Sequence, residues 1–221
     1  MPLKKIFILN TLFFILFALI FYLFPSYDIT FSNFFFTNNL FISEKYEAIK
    51  DLRNLLKDSM VMFPVTVLLF LIIHHFFKAK YNMKQRIKYA LIGFIIGPII
   101  GSGLIANLFF KDNWGRARPI QVSEFGGEKS FTPAFVKTDQ CEKNCSWISG
   151  ESSAAFSFIA GSIILKSPIF FYLNLIIGVL VSFCRVSMGG HFLSDNIFAF
   201  SFMVYLAILY KFMVIKFVKK K

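Results

Sequence analysis

Apolar residues run through this chain in six long stretches, near residues 6–25, 59–77, 89–110, 151–167, 169–187 and 194–215, and the charged and polar residues collect between them. A bilayer core takes about 20 apolar residues of helix, so each stretch predicts one membrane-spanning helix. Inside lipid every backbone polar group must bond internally, which makes helices the natural form for such runs. The predicted fold is all-α, a polytopic bundle of six transmembrane helices. There is no internal repeat and no low-complexity linker, so residues 1–221 are expected to form a single membrane-embedded domain.

The polar intervals refine this picture. From Tyr27 to Ser59 an aromatic stretch, Phe31 to Phe41, leads into the charged run from Glu44 to Arg53, a pattern that suits a helix or hairpin lying in the membrane interface. The first span follows Lys4 and Lys5 as a signal peptide would. It is long, however, and Pro25-Ser26-Tyr27 lacks small residues at paired cleavage positions, so an anchor is expected. In the third span Gly97, Gly101 and Gly103 allow a neighbouring helix close approach, and Pro98 predicts a bend.

Composition agrees with a lipid solvent: 57% of residues are hydrophobic, 32 are phenylalanine, and the mean hydropathy is +0.65. The net charge of +12 does not read as nucleic-acid binding, because the lysines sit mostly at the ends of apolar runs, where lipid headgroups meet them. In a six-span topology Lys4, Lys5, Lys78, Lys80, Lys84, Arg86, Lys88, Lys166, Lys211, Lys216, Lys219, Lys220 and Lys221 fall on one side, the expected cytoplasmic side. Segments 26–58, 111–150 and 188–193 fall on the other.

Three clusters carry chemistry, all on that second side. Lys111 to Pro119 gathers the cations Lys111, Arg116 and Arg118, a composition suited to phosphate: the lysine is a point charge and a guanidinium donates two parallel hydrogen bonds. Read alone, the same cluster also suits residues snorkelling to lipid headgroups. Ser149-Gly150-Glu151 precedes an apolar helix, with Ser149 placed as its N-cap, so the first-turn N–H groups form an anion site or simply an ordinary cap. Arg185 to Asp195 brings His191 and Asp195 four residues apart, on one face if the last helix begins there. A carboxylate so placed takes one imidazole N–H and leaves the other nitrogen free to attack phosphorus, and Gly189-Gly190 permits a turn that folds Arg185 toward it.

Taken in order, these clusters resemble the type 2 phosphatidic acid phosphatase superfamily. The motif Lys, six residues, Arg-Pro is met by Lys111, Arg118 and Pro119; of Pro-Ser-Gly-His only Ser149 and Gly150 match, with Ile148 and Glu151 at the outer positions. The third motif is met by Arg185, His191 and Asp195, with Cys184 in place of serine. The resemblance implies a six-helix bundle that needs no metal or cofactor. In it His191 forms a phosphohistidine, oriented by Asp195, while Lys111, Arg118, Arg185, Ser149 and the amide of Gly150 hold the phosphate. The family's second-motif histidine protonates the leaving group, which assigns the general-acid role here to Glu151. An acidic residue at that position, together with Lys-Asp-x-Trp-Gly-Arg-x-Arg-Pro and the loop Gln140 to Ser146, is similar to the lipid A 4'-phosphatases of Gram-negative bacteria. This implies a multi-pass inner-membrane enzyme with a periplasm-facing site, and lipid A as its partner and substrate.

The residues leave other substrates open. Phosphatases of phosphatidylglycerophosphate or undecaprenyl pyrophosphate, or a lipid phosphotransferase, share every catalytic residue; a non-catalytic lipid-binding or transport protein has no need of the His191 and Asp195 pair. Cys141 and Cys145 flank three residues without the further ligands zinc requires, so an exported disulfide is expected. Cys184 reads as a buried small side chain, and His74 and His75 as interfacial.

Overall fold

The computed structural model describes residues 2–77 and 83–218. In chain order they form α1 (Leu3–Leu23), α2 (Tyr27–Asn33), the hairpin β1 (Phe36–Thr37) and β2 (Leu40–Phe41), α3 (Ile42–Lys45), α4 (Glu47–Phe76) and α5 (Gln85–Pro98). The last of these continues as a π-helix, Ile99–Lys111. After two 3-10 turns, Pro119–Gln121 and Ser123–Phe125, come α6 (Gly150–Ser157), α7 (Ile159–Leu165), α8 (Pro168–Ser187) and α9 (Leu193–Val218).

Among the described residues five helices are long and apolar enough to cross a membrane: α1, α4, α5 with its continuation, α8 and α9. The expected span 151–167 is instead a shorter, broken pair, α6 and α7. The break has a local cause. Ser157 Oγ donates to the Ala154 carbonyl at 2.6 Å, the acceptor that the Phe158 N–H would use in an unbroken α-helix. The N–H of Phe158 turns to Phe156 instead. The pair also has little lipid to face. Phe156, Ile159, Ala160, Ile163 and Ile164 are buried against Ala90 of α5 and Met203, Val204, Leu206, Ala207 and Tyr210 of α9. Longer helices enclose it, and hydrocarbon thickness no longer sets its length.

Pro98 has no N–H to donate, and the wider winding starts at the next residue. Gly97 and Gly101 fit where a Cβ would meet the Ser157 backbone and the Met203 sulfur, so this helix lies directly on α6 and α9. The segment expected at the interface, 27–58, forms α2, the hairpin, α3 and the first three turns of α4. The last of these makes α4 begin a dozen residues earlier than its apolar run.

Lys111, the loop 112–149 and the turn between α8 and α9 share one end of the bundle. At the other end Arg86 Nε donates to the Ile164 carbonyl at 3.0 Å, and Lys166 lies near Lys211. Of the cations assigned to that side, Lys78, Lys80, Lys219, Lys220 and Lys221 lie outside the described residues.

Candidate active site

The turn between α8 and α9 carries His191. Gly189 N–H donates to the Val186 carbonyl at 2.9 Å, and Gly190 and His191 N–H both donate to the Arg185 carbonyl, at 2.9 and 3.2 Å. The turn thus folds back over the end of α8. Gly189 has φ +62°, and a Cβ on it would strike the Phe41 ring; a Cβ on Gly190 would strike the Arg185 guanidinium. The glycines therefore let Arg185 reach past the turn toward the imidazole. Helix α9 starts at Leu193, two residues later than a shared helical face for His191 and Asp195 requires. Their contact survives because Asp195, in the first turn of α9, points back and also accepts the Phe192 N–H at 2.8 Å.

His191 is 1% exposed, and its Nδ1 lies 3.3 Å from Asp195 Oδ2. A proton on Nδ1 facing the carboxylate leaves the lone pair on Nε2. Asp195 is held in turn by Ser146 Oγ at 2.5 Å and Arg116 Nη1 at 2.6 Å. Burial first, then Lys111, Arg185 and Arg118, holds the His191 imidazole well below the ordinary histidine pKa of 6.5, so it stays neutral.

The predicted phosphate group assembles around it in part. Lys111, at the end of the π-helix, and Arg118 approach a single residue, Asn144. Lys111 Nζ donates to its side-chain oxygen at 3.0 Å and Arg118 Nη2 to its main-chain oxygen at 2.7 Å. Asn144 sits inside the loop closed by the Cys141–Cys145 disulfide, with φ +52°. Arg185 is 7% exposed, and its Nε has no hydrogen-bond partner among the described residues, a costly state for a buried cation unless an anion completes it. Ser149 is the N-cap of α6, its Oγ accepting from Ser152 N–H at 3.4 Å. A Cβ on Gly150 would stand 3.3 Å from Lys111 Nζ, so the start of α6 faces the same opening as the lysine.

Two members of the clusters behave otherwise. Arg116, the third cation of the first cluster, is fully buried. Its Nη2 donates to Asp28 Oδ2 at 2.8 Å, its Nη1 to Ser194 Oγ at 2.9 Å and to Asp195, its Nε to the Thr132 carbonyl at 2.9 Å, and its guanidinium carbon lies 4.3 Å from the centre of the Phe192 ring. Glu151 does not stand free before a leaving group. Its two oxygens take the fork of Arg53, Nε to Oε2 at 2.8 Å and Nη2 to Oε1, with Arg185 Nη1 at 3.7 Å.

With this geometry in view, the sequence pattern of the PAP2 superfamily matches residues 92–219, a range that takes in Lys111, Arg118, Ser149, Glu151, Arg185, His191 and Asp195. The chain belongs to the PAP2 superfamily. A lipid A 4'-phosphatase of Francisella tularensis subsp. novicida (strain U112) is 35% identical over 183 residues, covering 79% of this chain and 80% of the relative. Lipid A 4'-phosphatases of Rhizobium leguminosarum and Rhizobium etli are 36% and 34% identical over shorter stretches, covering 54% and 46% of those proteins. No solved structure matches the chain.

Asp28, Arg53, Ser146, Asn144 and Ser194 escaped the sequence reading. Asp28 and Arg53 precede the PAP2 match, and nothing in their spacing to residues 151–195 marks them. Ser194 and Ser146 adjoin motif residues and carried a weak signal as polar groups beside an expected buried carboxylate.

Proposed function

We propose that this PAP2 superfamily member is a phosphoric monoester hydrolase that removes the 4'-phosphate of lipid A, using His191 as nucleophile on the periplasmic face of a bacterial inner membrane. The observation that carries the reading is the buried, neutral imidazole. Its Nδ1 is committed to Asp195, Lys111, Arg185 and Arg118 are near enough to act on its charge, and the N-terminus of α6 opens beside Lys111. The names of the relatives supply the substrate. The disulfide loop and the placement of Arg86, Lys166 and Lys211 at the opposite end support the orientation.

The reaction runs in two steps. Nε2 of His191 attacks phosphorus and the bond to the 4'-oxygen breaks, with the charge on the equatorial oxygens met by the three cations and the first-turn amides of α6. The departing oxygen takes a proton from the Glu151 carboxyl. Water then attacks the phosphohistidine and passes a proton to the Glu151 carboxylate, the P–N bond breaks, and inorganic phosphate leaves. Once phosphate has left, Arg53 and Arg185 return Glu151 to its carboxylate form, and the carboxylate takes up a proton again as the next phosphorylated lipid enters.

Mass spectrometry of lipid A from cells with and without the chain tests the substrate. Loss of one phosphate, mapped to the 4' position, is expected; unchanged lipid A beside a dephosphorylated phospholipid would overturn it. The nucleophile has a pH signature as well. Because kcat/KM reports the free enzyme, its acid limb is expected below 6.5, the ordinary histidine value from which burial and three cations push His191 down. Initial rates of phosphate release across pH in detergent micelles give the limb, and one centred at or above 6.5 contradicts a pre-neutralised imidazole.

A further inference from the structure

Arg53 lies on α4, before the part of the chain that carries the PAP2 pattern, and each of its three guanidinium nitrogens has a partner. Nε and Nη2 grip the two oxygens of Glu151, and Nη1 donates to Asn54 Oδ1 at 3.0 Å. A two-point grip fixes the plane and direction of a carboxylate, which one charge at a distance does not. Oε1, the oxygen hydrogen-bonded to Arg53, also stands 3.7 Å from Arg185 Nη1, so the two arginines share the Glu151 charge. Arg185 Nε, a different nitrogen of that guanidinium, has no hydrogen-bond partner among the described residues. The Arg53 and Glu151 side chains are 22% and 23% exposed, so the pair lies at the rim of the site, where a departing alcohol would leave.

We propose that Arg53 is a positioning residue of the reaction, one that fixes the Glu151 carboxylate and aims it at the leaving group. The proposal rests on the reading of Glu151 as the proton carrier. Three links follow. Arg53 touches no reacting atom, so it acts through Glu151 alone. It favours the ionised carboxylate, so it opposes proton uptake until a phosphate dianion enters nearby. And since α4 brings it, the approach of α4 to α6 is what completes the proton-transfer half of the site.

The other charged and titratable groups around Glu151 are Arg185 and Cys184 of α8, Lys111 of the π-helix, and Arg118 and His191 of the loops. None of them is hydrogen-bonded to Glu151, so Arg53 is the partner whose removal changes its proton affinity most.

The test uses the full-length protein in detergent micelles with lipid A carrying its 4'-phosphate, and reads kcat and KM across pH for Arg53→Gln, Arg53→Lys, Glu151→Gln and the double variant Arg53→Gln/Glu151→Gln. An opposite charge at this range lowers a carboxylate pKa by about 1–3 units, and the low end applies to a part-exposed pair. Arg53→Gln is therefore expected to lower the kcat plateau and move its alkaline limb upward by about one pH unit, with KM changed less than about twofold. Arg53→Lys should return part of the shift, and the double variant should match Glu151→Gln alone. An unmoved limb in Arg53→Gln overturns the proposal. So does a KM that Arg53→Gln raises by the same factor in the parent and in the Glu151→Gln background, because Arg53 then binds phosphate itself. His191→Ala is measured alongside. If it retains activity, the nucleophile reading fails; if it is inactive while Arg53→Gln shows no shift, the positioning role alone fails.

Discussion

His191→Ala is expected to reduce phosphate release by on the order of 10⁴-fold or more, in a protein that still extracts and melts as the parent does. The size follows from what the imidazole supplies. A residue that forms the covalent intermediate acts as a unit with its orienting carboxylate, and removing such a nucleophile costs far more than removing one binding contact. The retained fold follows from its contacts: the His191 side chain has one hydrogen-bond partner, Asp195, which keeps Ser146, Phe192 and Arg116 when the ring is gone. Phosphate release from lipid A with purified protein measures the first part, and a thermal melt in the same detergent the second. Activity within tenfold of the parent would leave His191 without its assigned role. Trapping of radiolabelled phosphate on the protein during turnover, absent in His191→Ala, provides a direct reading of the intermediate.

Arg116→Ala is expected to do the reverse: a large loss of stability, with loss of activity as its consequence. Arg116 and its two carboxylate partners are 0–1% exposed at the side chain, and no water reaches to replace the arginine. Removing one member of a buried ionic group typically costs about 3–5 kcal/mol, because the partners left behind are buried charges without compensation. Here two are left, Asp28 and Asp195, which places the expected loss at the upper part of that range. Arg116→Lys keeps the charge but reaches fewer of the four acceptors, so an intermediate loss is expected. Arg118→Ala, two residues away, makes the contrast: among the described residues the Arg118 side chain bonds to the Asn144 carbonyl, and its link to Gln121 is a main-chain N–H that the substitution keeps, so weaker substrate binding and a nearly unchanged melt are expected. Parallel melts of the three variants decide the matter, and equal melting of Arg116→Ala and the parent would refute the buried-network account.

Much of the bundle was legible in the sequence because lipid makes the rule simple. Apolar runs of spanning length have few alternatives, and α1, α4, α5 with its continuation, α8 and α9 fall where those runs do. The broken α6–α7 pair was not legible as such, since its break depends on one serine hydroxyl competing for the Ala154 carbonyl and its shortness on the helices that surround it. At the site, Lys111, Arg118, Arg185, His191 and Asp195 stood out by spacing and charge, and the structure gathers them at one end of the bundle. Arg116 was given no role of its own beyond membership of the cationic cluster, because only the fold reveals Asp28, 88 residues earlier, as its partner. Glu151 had an ambiguous sign for a related reason. The cation that sets its state, Arg53, comes from a helix 98 residues away, and local sequence around residue 151 carries no trace of it.

The Asp28–Arg116–Asp195 network joins a helix near the start of the chain, a loop in its middle and the first turn of the last helix. A membrane protein enters the bilayer from its first helix onward, and until α9 arrives Arg116 has only half its acceptors while the cations of the site already face one another without the histidine. On the proposed reading of His191, the hydrolytic group is in place only once α9 follows its turn, and the same step brings Asp195 to Arg116 and so ties α2 to the loop. Without α9 the chain still has Lys111 and Arg118 meeting at Asn144, but it lacks the carboxylate that orients His191 and half the acceptors of Arg116, so on that reading activity reports the arrival of α9.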